Sequence, residues 1–173
     1  MNTLPRWIAM LLALLPLWIS GCGPGVGGTG TGATAFEAFG VASASVCSGA
    51  LAAALNCPPA SPSAPSAGTQ NTYFADAAGK VTLEVQDNRA VLVAACERLR
   101  FSGAFGIAGT GGAQGFFGIV HDDASGADSL AALTVVAVPG TSALTIELRD
   151  LNDSVRVGPV LMLRVGSALT PSC

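Results

Sequence analysis

The sequence from residue 70 to 173 predicts an all-β domain of about eight antiparallel strands. Apolar and polar residues alternate along its segments. In residues 143–150, ALTIELRD, the apolar Leu144, Ile146 and Leu148 alternate with polar side chains. Turn residues separate the segments at even spacing, and no long helical pattern lies between them. Together these features predict sequential antiparallel hairpins.

The turn signals divide this domain into eight segments. The Asp87-Asn88 turn is expected to join two strands in a tight hairpin that pairs Val85 with Ala90. In the same register Leu83 pairs with Leu92. The predicted strands lie near residues 71–76, 80–86, 89–96, 99–108, 113–121, 130–138, 143–150 and 155–166.

The last of these segments, VRVGPVLMLRV, changes its alternation at Gly158-Pro159. A β-bulge or a bend at this position is the expected cause.

The strands are expected to close into a small up-and-down barrel. Apolar strands with few charges would otherwise expose sheet edges that pair with other chains. A β-sandwich is the alternative that the same strand pattern allows. With eight short antiparallel strands, the domain resembles lipocalin-like and avidin-like barrels. That resemblance is one of fold and carries no shared motif, so it implies no function.

The first 21 residues predict a signal peptide. Arg6 supplies a positive charge, and residues 7–19 form an apolar run of 13 residues. A transmembrane helix needs about 20 apolar residues, so the run is too short to span a bilayer.

The residues Ile19-Ser20-Gly21-Cys22 resemble the lipobox of bacterial lipoproteins. The resemblance implies cleavage before Cys22 and two or three acyl chains, such as palmitate, on the new N-terminus. Two chains anchor a protein stably, whereas one anchors it only marginally. Gly23 in place of Asp favours the outer membrane by the sorting pattern of enterobacterial lipoproteins. The alternative is an ordinary secretory signal that leaves Cys22 for a disulfide.

Three short segments are expected between the anchor and the β domain. Residues 22–34 are a Gly-rich tether of the flexible type. Residues 35–57 are rich in Ala and predict a short helical segment, although Gly40 and Gly49 interrupt it. Residues 58–69 are a Pro/Ser-rich linker that ends any helix.

Four cysteines remain after lipidation of Cys22: Cys47, Cys57, Cys96 and Cys173. An even number in an exported chain predicts two disulfides, with three possible connectivities. We favour Cys47–Cys57 with Cys96–Cys173, because a terminal cysteine needs a partner that pins it. Zinc binding is the competing interpretation, but the sequence has no CxxC or His/Cys pair. No metal or other cofactor is expected.

Charge and aromatic content argue against two classes of partner. Without Arg6 the mature chain has 7 basic and 11 acidic residues, a formal charge of −4. Nucleic-acid binding would therefore lack its main electrostatic contribution. Both tryptophans, Trp7 and Trp18, lie in the signal peptide, and Tyr73 is the only tyrosine. Binding surfaces that stack sugars or bases on aromatic rings are therefore not expected.

Four phenylalanines form a candidate apolar pocket. Phe101 and Phe105 lie on one predicted strand, and Phe116 and Phe117 lie on the next, with glycines between them. Inside a barrel, such residues could bind a lipid or another small apolar ligand. The alternative, which we favour, is that they form the core, since aromatic rings pack over glycines in strands.

The single histidine, His121, lies in the acidic sequence HDDASGAD with Asp122, Asp123 and Asp128. A Ca²⁺ loop would use these carboxylates, but their spacing does not match an EF-hand, and a surface turn is favoured. A catalytic centre would depend on His121 and Asp123. The sequence has no G-x-S-x-G motif to supply a nucleophile, and we expect no enzyme activity.

Residues 102–105, SGAF, are similar to the SGxxY segment of periplasmic lysozyme inhibitors, with Phe105 in place of the tyrosine. The resemblance covers these four residues and implies an inhibitor of envelope-directed lysozyme.

The sequence as a whole predicts a lipid-anchored envelope lipoprotein with a non-enzymatic binding or structural β domain. Its expected partners are the membrane, through the lipid on Cys22, and an envelope protein or a small apolar ligand. A periplasmic inhibitor or a carrier of a small apolar ligand is the alternative function.

Overall fold

The strands close into an antiparallel barrel in a computed structural model that describes residues 32–57, 71–108 and 113–173. A short helix, α1 (Gly32–Phe39), and a 3-10 helix (Val46–Ser48) precede the barrel. The strands are β1 (Val41–Ser43), β2 (Thr72–Ala75), β3 (Val81–Gln86), β4 (Arg89–Ala94), β5 (Leu99–Ala108), β6 (Gln114–Asp122), β7 (Ala127–Ala137), β8 (Leu144–Asp150) and β9 (Val155–Val165).

The barrel is an up-and-down meander of eight strands. Each strand from β2 to β8 pairs antiparallel with the next one in sequence. The last strand, β9, pairs with β2 and closes the sheet on itself. The predicted barrel is therefore confirmed, and closure leaves β2 and β9 without free edges. β1 is a ninth, short strand that pairs with the end of β5 beyond β4.

Alternation of side chains places the apolar residues inside the barrel. On β3, Val81, Leu83 and Val85 are buried, whereas Thr82 and Glu84 between them are partly exposed. The β3–β4 hairpin has the predicted register, with Val85 opposite Ala90 and Leu83 opposite Leu92. On β8, the predicted inward residues Leu144, Ile146 and Leu148 are fully buried. These residues belong to one hydrophobic cluster that fills the barrel.

A β-bulge interrupts β9 at the position where the sequence pattern changes. Ile146 on β8 lies opposite Val160, and Leu148 lies opposite Val157. β9 therefore has one more residue than β8 over this interval, and Gly158 lies in the bulge with a φ of +98°. The predicted irregularity at Gly158-Pro159 is confirmed.

One end of the barrel, the capped end, is covered by residues 44–57. Val46, Leu51, Ala54 and Leu55 from this segment are buried in the same cluster as the barrel interior. The opposite end, the loop end, carries the turns at residues 76–80, 95–98, 123–126 and 151–154. The two ends of the barrel therefore differ, since one contributes to the core and the other is made of surface turns.

The Ala-rich segment 35–57 contains part of a short helix, as predicted, and also a short strand. Helix α1 begins at Gly32, inside the predicted tether, and ends at Phe39. Gly40 has a φ of +60° and turns the chain into β1, whose residues Val41–Ser43 pair with β5. After β1 only the 3-10 helix and a series of turns follow. The predicted short helix before the barrel is therefore confirmed, whereas in β1 and the turns after it packing against the barrel overrides the helix propensity of alanine. The predicted signal peptide 1–21, residues 22–31 of the predicted tether and the predicted linker 58–69 lie outside the described residues.

Candidate functional site

Three of the four predicted pocket residues lie in the barrel interior as part of its core. The side chains of Phe101, Phe105 and Phe116 are at most 1% exposed. The rings of Phe105 and Phe116 meet edge to face, with centroids 5.4 Å apart. The Phe101 ring lies over Gly103 and occupies the space that a Cβ would take. The phenylalanines thus pack over glycines as expected, and their rings fill the interior.

Phe117 lies on the outer face of the barrel. Its neighbour Phe116 points inward, and successive side chains of a strand point to opposite faces. The Phe117 ring contacts Phe36 and Phe39 of α1, at centroid distances of 6.3 and 5.3 Å. The four phenylalanines therefore do not line one pocket, which corrects the predicted set. Phe117 instead holds α1 against the barrel wall.

His121 lies near the end of β6, on the outer surface at the loop end. Its Nδ1 is 2.6 Å from an Asp128 carboxylate oxygen, and its Nε2 is 3.5 Å from Asp123. Arg100 of β5 is the cross-strand neighbour of His121 on the side opposite Asp128. The histidine side chain is 44% exposed. This arrangement fastens β6 to the start of β7 at the surface, and it is not enclosed in a cleft.

Asp122 organises the turn that follows β6. One of its carboxylate oxygens accepts hydrogen bonds from the backbone amides of Ala124 and Ser125 at 2.8 and 3.2 Å. These bonds, with the nearby guanidinium of Arg156, hold the pKa of Asp122 below its ordinary value. The sequence HDDASGAD therefore forms the predicted turn. Within the described residues, no three His, Cys, Asp or Glu side chains are grouped to hold a metal ion.

The SGAF segment, residues 102–105, lies in the middle of β5. Ser102 and Gly103 pair with β4 on one side and with β6 on the other. Phe105 points into the core. The segment is therefore part of the barrel wall, whereas an inhibitor would need to present it on an exposed loop.

The two disulfides have the connectivity favoured from the sequence. Cys47–Cys57 joins the two ends of the capping segment, with Cα atoms 5.6 Å apart. Its cysteines are partly buried against the core. Cys96–Cys173 joins the β4–β5 turn to the last residue, with Cα atoms 5.1 Å apart, and both of its cysteines are exposed.

The second disulfide fastens the C-terminal strap, which we define as residues 166–173. The strap leaves the capped end after β9 and reaches the loop end, where Ser172 donates a backbone hydrogen bond to Gly79 at 3.4 Å. A cleft of about 130 Å³ lies between the strap and the outer face of β2, β3 and β4. Tyr73, Val91, Val93, Leu169 and Pro171 are among its lining residues. Ligand pockets are typically about 300–1,000 Å³, so this cleft could take only a small apolar group.

An apolar patch on the outer wall was not anticipated from the sequence. Val136 on β7 is 57% exposed, Leu161 on β9 is 53% exposed and Leu163 is 47% exposed. The strand between them, β8, places Thr145 opposite both Val136 and Leu161. We call Val136, Leu161 and Leu163 the apolar patch. Alternation along each strand indicates which face these residues take, but the register of β8 with β7 and β9 is needed to place them together.

A comparison of the chain with protein-family models, curated proteins and solved structures found no match. Among the described residues, no helix is long and apolar enough to cross a membrane.

Proposed function

We propose that the protein is a lipid-anchored lipoprotein of the bacterial cell envelope, placed at the outer membrane of a Gram-negative bacterium. The observation that carries this proposal is the sequence Ile19-Ser20-Gly21-Cys22, directly after an apolar run preceded by Arg6. Small residues beside the cleavage site and a cysteine at +1 suit a protease at the bilayer surface and acylation of the thiol.

The two disulfides support export to an oxidising compartment. Disulfides persist in the periplasm and on cell surfaces and are rare in the cytosol of mesophiles. Cys47–Cys57 and Cys96–Cys173 use every cysteine that follows Cys22. Cys22 is then left over for the lipid, which is the role that its sequence context favours.

The β domain acts in this proposal as a non-enzymatic binding or structural module that presents its outer surface. The interior is occupied by the protein's own side chains, with Phe105 packed against Phe116 and Phe101 packed against Gly103. A partner would therefore contact the wall or the loop-end turns. An envelope protein is the class of partner that fits a module held at the membrane in this way.

A carrier of a small apolar ligand is a second candidate, and the cleft under the C-terminal strap is the observation that favours it. Leu169 and Pro171 of the strap face Val91 and Val93 across this cleft. Its volume of about 130 Å³ limits the ligand to a small apolar group or one end of a longer chain. Saturable binding of a short fatty acid that a Leu169→Ser substitution weakens would support the carrier.

Metabolic labelling with a palmitate analogue tests the anchor. We expect the wild-type protein to incorporate the label and to fractionate with membranes. The Cys22→Ser variant should stay unlabelled and accumulate as a precursor. Cys173→Ser is the matched control, because it removes another cysteine and should leave labelling unchanged. Continued labelling of Cys22→Ser would overturn the proposal.

Crosslinking in intact cells tests the binding role. Recovery of one envelope protein, in constant proportion to the lipoprotein, is the expected result for a binding module. A crosslinked product that contains only copies of this chain would instead favour a structural role.

A further inference from the structure

We propose that the barrel lies on the membrane surface with its capped end toward the bilayer, so that Val136, Leu161 and Leu163 contact the lipid. The inference rests on the proposed lipid anchor and adds the orientation of the domain and the surface that it uses. Three features of the molecule support this orientation: the apolar patch, the point where the tether joins the barrel and the distribution of charge.

The apolar patch lies on β7 and β9, on either side of β8. Leu161 and Leu163 point outward on β9, whereas Met162 between them is fully buried. Val136 points outward two strands away, and Thr145 of β8 lies between it and Leu161. All three aliphatic side chains are about half exposed. Burial of these aliphatic side chains against lipid would be favourable, which suits this face to an apolar contact.

The tether joins the barrel at the same end. Helix α1 packs on the outer face of β5 and β6 near the capped end, with Phe36 over Gly106 and against Phe117. Val136 lies near the end of β7, the strand beside β6, also at the capped end. From Cys22 to Gly32 the chain can extend at most about 35 Å. The acyl chains therefore hold this end of the barrel within reach of the membrane.

Charged side chains concentrate at the opposite end. Of the 19 charged residues, Arg6 lies in the signal peptide and twelve lie in the loop-end turns or within two residues of them. With the loop end downward, contact with the acyl chains would desolvate these charged groups at a cost in free energy, so this end faces water. The twelve are Asp76, Lys80, Glu97, Arg98, Arg100, Asp122, Asp123, Asp128, Arg149, Asp150, Asp153 and Arg156.

Single tryptophans can report the orientation, because Trp7 and Trp18 are removed with the signal peptide. The reporter is Leu163→Trp, and the matched control is Val155→Trp. Both positions lie on β9 and are 47% exposed, but Val155 is at the loop end. The mature, acylated proteins are reconstituted in vesicles of phosphatidylethanolamine and phosphatidylglycerol, with and without brominated acyl chains. Val136→Trp provides a second reporter on β7.

We expect brominated lipid to reduce the emission of Leu163→Trp and Val136→Trp at least about twofold, since an interfacial apolar face enters the bilayer by about 5–10 Å. Emission of Val155→Trp should stay nearly unchanged. Equal quenching of Leu163→Trp and Val155→Trp would overturn the orientation while leaving the anchor intact.

Two further outcomes also contradict the proposal. The emission of Leu163→Trp could instead shift to the blue with rising protein concentration and show no quenching by brominated lipid. That result would show that a second copy covers the patch. A mature protein without acyl chains, as determined by mass spectrometry, would overturn the anchor and the orientation together.

Discussion

The ring of Phe101 lies over Gly103, two residues further along β5, inside the barrel. A Cβ on Gly103 would overlap the Phe101 Cζ atom and lie 3.0 Å from the backbone carbon of Phe117. Gly103 is paired with Gly118 on β6, where a Cβ would overlap the Ser102 carbonyl oxygen. Glycine at position 103 therefore leaves room for the Phe101 ring, and glycine at position 118 leaves room for the backbone of β5.

Alanine at either glycine should destabilise the barrel. We expect Gly103→Ala to lower the free energy of unfolding by about 1–3 kcal/mol, as overpacking of a core does. Gly118→Ala should cost more, because its Cβ would meet backbone atoms that cannot rotate away. Urea unfolding followed by circular dichroism measures both. Phe101→Leu should partly restore the stability of Gly103→Ala by removing the overlapping ring atom.

Gly166→Ala is the matched control for these variants. A Cβ at Gly166 would meet no atom within 4 Å, so the free energy of unfolding should change by less than about 0.5 kcal/mol. Equal stability of Gly103→Ala and Gly166→Ala would contradict the packing argument.

The barrel was predictable because each strand carries its own alternation. The strands near 80–86 and 143–150, for example, were found at Val81–Gln86 and Leu144–Asp150. Tight hairpins then fix the neighbours of each strand, as the pairing of Val85 with Ala90 shows. A chain of local pairings is enough to define an up-and-down sheet, whereas its closure through β2 and β9 follows from the need to pair both edges.

Several details of the outer wall and the cap were not predicted. Phe117 was grouped with the interior residues, although its position beside Phe116 already places it on the opposite face. The capping role of residues 44–57 required knowledge of which barrel end they meet. The apolar patch likewise combines Val136 with Leu161, which are distant in sequence and come together only through β8.

The cap is fastened to the barrel through Asn88 in the β3–β4 turn. Its side-chain oxygen accepts a hydrogen bond from the Val46 amide at 2.9 Å, and its backbone oxygen accepts one from Phe105 at 2.7 Å. Asn88→Ala would leave the Val46 amide without this acceptor, at a cost of about 1–3 kcal/mol. Asn88→Asp keeps the acceptor and should stay close to wild type at neutral pH.

Amide hydrogen exchange at Val46 is the measurement that separates these two variants. We expect protection to fall in Asn88→Ala and to remain in Asn88→Asp. A similar loss of protection in both would show that the side-chain hydrogen bond does not hold the cap.

We expect Cys47–Cys57, which closes the shorter loop, to contribute more to the free energy of unfolding than Cys96–Cys173 does. Loop closure alone assigns roughly 3 kcal/mol to Cys47–Cys57, separated by 10 residues, and roughly 4–5 kcal/mol to Cys96–Cys173, separated by 77. Without Cys96–Cys173, however, only the exposed strap needs to detach. The detached strap then gains conformational entropy in the folded protein too. The net contribution of Cys96–Cys173 to the free energy of unfolding is therefore about 2 kcal/mol.

The pairs Cys47→Ser/Cys57→Ser and Cys96→Ser/Cys173→Ser test this order by urea unfolding. The Cys47→Ser/Cys57→Ser double variant should be the less stable of the two, because it also loses packing of the cysteines against the core. Limited proteolysis should remove the strap only from the second pair and leave its barrel intact. Loss of the barrel in the second pair would contradict a detachable strap.

Asp76 should make the stability of the barrel depend on pH in the acidic range. Its Oδ1 accepts hydrogen bonds from the amides of Lys80 at 2.7 Å and Val81 at 2.8 Å, and its Oδ2 accepts one from Ala78 at 3.2 Å. Partial burial opposes ionisation, but the three hydrogen bonds together outweigh it and hold the pKa of Asp76 below its ordinary value of 3.8.

Because the folded-state pKa is the lower one, the unfolded chain takes up a proton first as the pH falls. The stabilisation from Asp76 is therefore fully present above the ordinary pKa and is lost as the pH falls through the folded value. Asp76→Asn keeps a carbonyl acceptor but removes the charge, and should cost about 1 kcal/mol at pH 7. Urea unfolding at pH 7, 5, 4 and 3 should show this difference shrinking below about pH 4. A difference that stayed constant over this range would mean that the amide hydrogen bonds stabilise the turn independently of the charge on Asp76.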